Sequence, residues 1–234
     1  MQRSILHGLN VRGGRATRWR WVTRRRRPAV GSAGGQPDPT ESGDYYCDAN
    51  AVSGVWCPEM DIMEANTAAL AVRTGQPRAA RRRCNARSPR AQATPHDCDS
   101  PSSGYYPHCD QGGCSVNTKN GPGGQYGGGG SFKIDTTQPF TVSTQFGVDG
   151  SQQLSSVTTT LSQGNQNVVL VHTDSQCGGG YLERLTGALA AGMVPTLSLW
   201  GDAAGSMSWL DQPPCGGESC DPSSTATFYN IMIY

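Results

Sequence analysis

FTVSTQFGVDGSQQLSSVTTTLSQGNQNVVLVHT, residues 140–173, is the stretch that decides the fold. It holds three short runs: FTVSTQFGV (140–148), QLSSVTTTL (153–161) and NVVLVHT (167–173). Each is rich in β-branched residues and often alternates polar with apolar, and Gly or Asn breaks separate them. Such runs read as strands, because successive side chains of an extended chain point to opposite faces. SFKIDT (131–136), MVPTLSLW (193–200) and TATFYNIMIY (225–234) read the same way. One helix is expected from Tyr181 to about Ala191, with Leu182, Leu185 and Leu189 at helical spacing and Gly192 as its stop. Between Cys109 and Gly130 the chain reads as glycine-rich loop, and no internal repeat is evident. Many short strands with one small helix imply an all-β sandwich.

At 234 residues the chain suits one domain, or two at most. Its formal charge of +1 hides a strong segregation. Nine arginines lie between Arg3 and Arg27, and seven more between Arg73 and Arg90. Lys119, Lys133 and Arg184 are the remaining basic residues, set against all 18 acids. The protein is therefore acidic and rich in Gly, Ser and Thr, with two arginine-rich pieces attached.

The first of these, RGGRATRWRWVTRRRRPAVGSAGGQP (12–37), shows no repeating apolar stripe. Burial then cannot offset the entropy of ordering it, so residues 1–40 are expected to be disordered and foreign to the domain. The competing reading is attachment to nucleic acid or a membrane surface through Arg with interleaved Trp19 and Trp21. Charge runs are weak signals, and neither partner is expected. The start also lacks the apolar run of a secretory signal.

Nine cysteines give an independent indication. Only Cys84 lies in an arginine-rich segment. Setting it aside leaves an even set suited to a disulfide-stapled extracellular protein. No Cys-x-x-Cys pair exists and the four histidines are scattered, so zinc is the weaker reading.

The chemistry centres on WCPEMDIMEAN (56–66), where Glu59, Asp61 and Glu64 stand among Met60, Ile62, Met63 and Ala65. Acids in so apolar a segment either line a cleft or form the wet face of a helix. A helix would point Glu59 and Glu64 roughly 140° apart. A regular strand would put Glu59 and Asp61 on one face and Glu64 on the other. One bulge between Asp61 and Glu64 restores all three to the same face, and bulges recur beside active sites. Two glutamates flanking a cleft suggest retaining glycoside hydrolysis, in which one attacks the anomeric carbon and the other serves as acid and then base. Asp61 beside Glu59 makes a like-charge pair in which one acid can hold a proton and hydrogen-bond the other. A purely structural acidic strand is the alternative.

CPEMDIMEAN closely resembles the active-site strand of glycoside hydrolase family 7, the secreted cellulases. The resemblance continues, in family order, through DYYCDAN (44–50), TPHDC (94–98), CDQGGC (109–114), FKIDTTQPFTVSTQF (132–146), GMVPTLSLWGDAAGSMSWLD (192–211) and ATFYNIMIY (226–234). It implies a concanavalin-like β-jelly-roll sandwich, incomplete here, with long glycine-rich loops. The domain would run over 41–234 and carry an Arg-rich insert at about 71–92. The laminarinase and lichenase group shares Glu-x-Asp-x-x-Glu, but does not account for TPHDC or SLWGD…SWLD.

The resemblance also implies roles. Glu59 matches the nucleophile, Glu64 the general acid/base and Asp61 the carboxylate that supports the nucleophile. His96 matches a histidine near the leaving group, although a lone histidine by itself more often reads as a structural hydrogen-bonder. Trp200 and Trp209 match tryptophans that stack on glucose rings. Asp48 matches a substrate-contacting aspartate, with Asn50 where the family has glutamine. Asp202 matches the second acid of Trp-Asp-Asp, with Gly201 replacing the first. The arginines that grip the product side have no counterpart, which counts against processive action.

From the family the bridges Cys47–Cys57, Cys98–Cys109 and Cys114–Cys177 follow, leaving Cys215 and Cys220 for a local pair. Ala51 and Trp56 occupy the positions of a further family bridge whose cysteines are both gone. The implied function is hydrolysis of β-1,4-glucosidic bonds in cellulose or another β-1,4-glucan, with retention. It would be performed by a secreted monomer needing no cofactor or metal. An inactive remnant or a glucan-binding sandwich remains the alternative, because the family's long region upstream of DYYCDAN is replaced here by arginine-rich sequence. A well-arranged acidic cluster with weak turnover is therefore the expectation.

Overall fold

The computed structural model describes residues 3–12, 16–23, 47–52, 54–65, 91–102, 106–118, 124–200 and 225–233. Its core is two facing antiparallel sheets. In the first, β8 (Phe140–Val148), β9 (Leu154–Gln163) and β10 (Gln166–Thr173) form a meander. β8 then pairs with β1 (Arg3–Arg12), which in turn pairs with β12 (Thr225–Phe228) and β13 (Ile231–Ile233). In the second, the order is β11 (Met193–Trp200), β2 (Ala16–Thr23), β3 (Glu59–Ala65), β4 (Ala91–His96) and β5 (Val116–Asn117). A short parallel pair, β6 (Tyr126–Gly127) with β7 (Ile134–Asp135), completes the strands among the described residues.

Alternation in β8 shows how the sandwich closes. Phe140, Val142, Thr144 and Phe146 are buried and the intervening residues are not. Phe140, Val142 and Phe146 join Leu154, Val157, Leu161 and Val168 in one apolar cluster with Met60, Ile62, Met63 and Ala65 of the opposite sheet. Burying one such side chain contributes roughly 1.5–3 kcal/mol, so this interface is the main source of stability. Tyr126 meets Phe140 edge to face at a ring separation of 5.8 Å. One buried polar pair is tolerated because it is matched: the hydroxyls of Thr144 and Thr159 lie 2.9 Å apart across β8 and β9.

Several expectations need correction. The helix expected from Tyr181 to about Ala191 is two short ones, preceded by a third: α1 (Asp174–Cys177), then α2 (Tyr181–Arg184) and α3 (Thr186–Ala191). Leu185 separates the last two, its N–H turning back to Leu182 O at 3.0 Å instead of continuing the α-helical ladder. Thr186 and Gly187, poor helix formers, follow at once. TATFYNIMIY splits into β12 and β13 at Asn230, whose φ of 54° is a left-handed conformation that asparagine tolerates. The glycine-rich loop contains β5 and β6, and Ala91 and Gln92 begin β4.

The largest correction concerns residues 1–40. Their expected disorder does not hold for Arg3–Arg12 and Ala16–Thr23, which are inner strands of the two sheets. ATRWRWVT alternates with period two, a pattern suited to a strand whose backbone pairs on both sides. The register sets Trp19 opposite Met63, Trp21 opposite Met60, Arg18 opposite Glu64 and Arg20 opposite Asp61. Arginines on β2 thus share register rows with acids on β3. Among the described residues no helix is long and apolar enough to cross a membrane.

Candidate active site

The site is built on β3, and its geometry begins with a bulge. In the ladder with β4, Asp61 pairs with Thr94 and Glu64 with Gln92, so three steps on β3 oppose two on β4. The ladder with β2 also slips, between Trp19 and Arg20. Ile62 and Met63 consequently both enter the core, with Met60 and Ala65 on the same side. Glu59, Asp61 and Glu64 are left for the other face, and all three are buried.

Neighbouring segments supply polar partners. The loop closed by Cys47–Cys57 brings the Ala49 N–H to Glu59 Oε2 at 3.0 Å. On β4, His96 lies opposite Glu59 and Thr94 opposite Asp61. The Thr94 hydroxyl reaches Glu64 Oε2 at 3.5 Å, the outer limit of a hydrogen bond. His96 Nε2 lies 3.0 Å from Asp61 Oδ2, and its Nδ1 lies 2.8 Å from the carbonyl oxygen of Asp110. A carbonyl only accepts, so Nδ1 carries a proton.

Burial on its own would lower the His96 pKa. The hydrogen bond and charge of Asp61, the charge of Glu59 and the Asp110 carbonyl outweigh it and raise the value to about 9. At neutral pH the ring is therefore an imidazolium that donates from both nitrogens. Glu59, Asp61 and His96 offer ligand atoms within 4.8 Å of one another, a spacing that suits a cation. To serve as a ligand there, the ring would have to give up the proton on Nε2.

Gly113 closes the site from the loop side. A methyl group there would come within 2.5 Å of Thr94 Cγ2 and 2.7 Å of the His96 ring. Its φ of +59° also favours glycine.

The remaining expected site residues fall unevenly. Asp48 is buried, and its Oδ1 accepts the N–H groups of Asn50 and Val52, each at 3.0 Å. That oxygen shapes the loop. Asn50 is exposed on the same turn. Trp200 ends β11 in register with Ala16. Asp202 and Trp209 lie outside the described residues, as do Cys215 and Cys220. The structure joins Cys47 to Cys57, Cys98 to Cys109 and Cys114 to Cys177, the pairings the family resemblance implies. Ala49, Thr94, Asp110 and Gly113 were not singled out from sequence. They contribute through backbone groups or long-range contacts, and only the glycine-rich CDQGGC hints at the close approach of Gly113.

The family model described as Glycosyl hydrolase family 7 matches residues 34–177. The chain belongs to this family. The match opens upstream of residue 41, where the domain was expected to begin. Among related family-7 sequences, the endo-β-1,4-glucanase celB of Emericella nidulans is 30% identical over 81% of this chain and 51% of its own length. Endoglucanase 1 of Pyricularia oryzae is 28% identical over 79% of this chain and 49% of its own. The chain thus spans about half the length of the curated relatives it matches. Among solved structures, Humicola insolens endocellulase EGI superposes with a TM-score of 0.68 at 20% identity, over 99% of this chain and 67% of that one. A family-7 cellobiohydrolase from Daphnia pulex gives 0.65 at 19% identity, over 99% of this chain and 69% of its own. These likenesses establish the jelly-roll sandwich.

Proposed function

We propose that this family-7 chain hydrolyses β-1,4-glucosidic bonds of cellulose or a related glucan by double displacement with retention. Glu59 attacks the anomeric carbon, and Glu64 protonates the departing oxygen and then activates water. Asp61, carrying the His96 imidazolium, supports Glu59 by keeping a positive charge beside the nucleophile's face. The observation that carries the reading is the bulge of β3, which leaves three acids on one face with His96 held against the middle one. The endoglucanase names of the related proteins support the glucan as substrate. Three disulfides fit an extracellular site of action.

Reducing-sugar release from soluble cellulose by the purified chain tests the proposal, with Glu59→Gln and Glu64→Gln as controls. Hydrolysis should depend on both residues, and NMR should show the β-anomer as the first product. Initial release of the α-anomer would overturn retention. Glucan binding without any release would instead favour a binding sandwich, a reading that the chain's half-length match keeps in view.

A further inference from the structure

We propose that Tyr181 is a positioning residue for this site: by clamping Asp110 it fixes the carbonyl that aims His96 at Asp61. Tyr181 opens α2 and is buried against the sheet. Its hydroxyl lies 2.9 Å from Asp110 Oδ2 and 3.2 Å from the Pro95 carbonyl oxygen, and it accepts the Asp97 N–H at 3.2 Å. A phenol has one proton to give. The carboxylate, nearer and charged, is the stronger acceptor.

Asp110, though exposed, is then held through both its side chain and its backbone. Its Oδ1 accepts the Gly112 N–H at 3.1 Å, and its own N–H donates to the Asp97 carbonyl at 2.8 Å. Its carbonyl oxygen receives His96 Nδ1–H at 2.8 Å and the Gly113 N–H at 3.3 Å. Behind the clamp, Arg184 pairs with Asp97, and its guanidinium lies 5.6 Å from the centre of the Tyr181 ring. Leu182 N–H is tied to Asp174 Oδ1 of α1 at 3.0 Å. The route from α2 to the acids is thus Tyr181, Asp110, His96 and Asp61, each link a hydrogen bond.

The catalytic consequence rests on the proposed function, whereas the positioning link does not, so the two are tested separately. The 234-residue chain, labelled with 15N-histidine, is titrated by NMR alongside Tyr181→Phe, Asp110→Ala and the double variant. Wild-type His96 should keep both ring protons at neutral pH and titrate near about 9. In Tyr181→Phe the midpoint should fall by about one pH unit and Nδ1–H exchange should rise about tenfold. Asp110→Ala should do the same, and the double variant no more, because both act through one contact. Asp110→Ala, which removes the acceptor of the Tyr181 hydroxyl, supplies the same readout should Tyr181→Phe fail to fold. A folded variant with unchanged His96 midpoint and exchange overturns the proposal, even if its melting temperature drops. Where the wild type hydrolyses glucan, kcat should fall about tenfold with KM nearly unchanged. A shifted His96 in a chain without hydrolysis upholds the clamp and refutes the proposed activity.

Discussion

Ile62 and Met63 are neighbours in the chain, yet both side chains enter the same core. In a regular strand one of them would face the acids. Ile62→Ala and Met63→Ala should therefore each cost about 2–5 kcal/mol, the range for truncating a buried side chain. Urea denaturation of the two variants measures this. A small loss at either position would mean that the bulge is absent.

The Cys47–Cys57 bridge, with a Cα separation of 5.6 Å, closes the loop that gives Glu59 its Ala49 N–H. Replacing both cysteines with alanine should remove roughly 2–4 kcal/mol of stability. It should also slow hydrolysis more than replacing Cys114 and Cys177, whose bridge spans a longer segment. Melting curves and initial rates on soluble cellulose test the pair of expectations.

His96 makes stability depend on alkaline pH. Its folded pKa of about 9 exceeds the unfolded value near 6.5. The favourable contribution is complete below 6.5 and is lost as pH rises through about 9. It should be on the order of a few kcal/mol. Urea midpoints between pH 6 and 10 should decline in the wild type, and His96→Asn should flatten that decline while lowering stability at pH 6.

Gly113→Ala should be far more harmful than alanine at Gly150, where an added methyl meets nothing within 4 Å. At Gly113 the methyl would collide with Thr94 and His96, on a backbone already unfavourable for alanine. A loss above about 1 kcal/mol is expected, with a displaced His96 resonance as its signature.

Turnover by the chain alone should be weak. It spans about half of its curated relatives, and binding energy from distant subsites supports kcat as well as affinity. Rates comparable to a full-length family-7 endoglucanase, measured side by side, would refute this expectation.

What the sequence revealed followed the range of its signals. Met193–Trp200 and Phe140–Val148 were legible to the residue, because their patterning is local and bounded by Gly, Pro or Asp. The bulge was legible too, since face arithmetic leaves no other way to gather Glu59, Asp61 and Glu64 on a strand. β2 was not. Its arginines read as a solvated charge run until register set Arg18 and Arg20 opposite acids that lie more than 40 positions away. β5 and β6, two residues each, exist only through their partners. Tyr181 is separated from Asp110 by 71 positions, and no local spacing announces a contact of that range.

β2 lies between β3 and β11, and β1 lies between β8 and β12. Each sheet therefore joins a segment near residue 10 or 20 to segments beyond residue 190. Pairings of such high contact order require large loops to close before any contact rewards them, and they slow folding. On a ribosome, the β8–β9–β10 meander can form while β2, the neighbour of the acid-bearing strand, still lacks β11 on its other side. The acids of β3 thus belong to the sheet that closes last, and a chain stopped before residue 193 would hold them in a sheet whose β2 edge is left open.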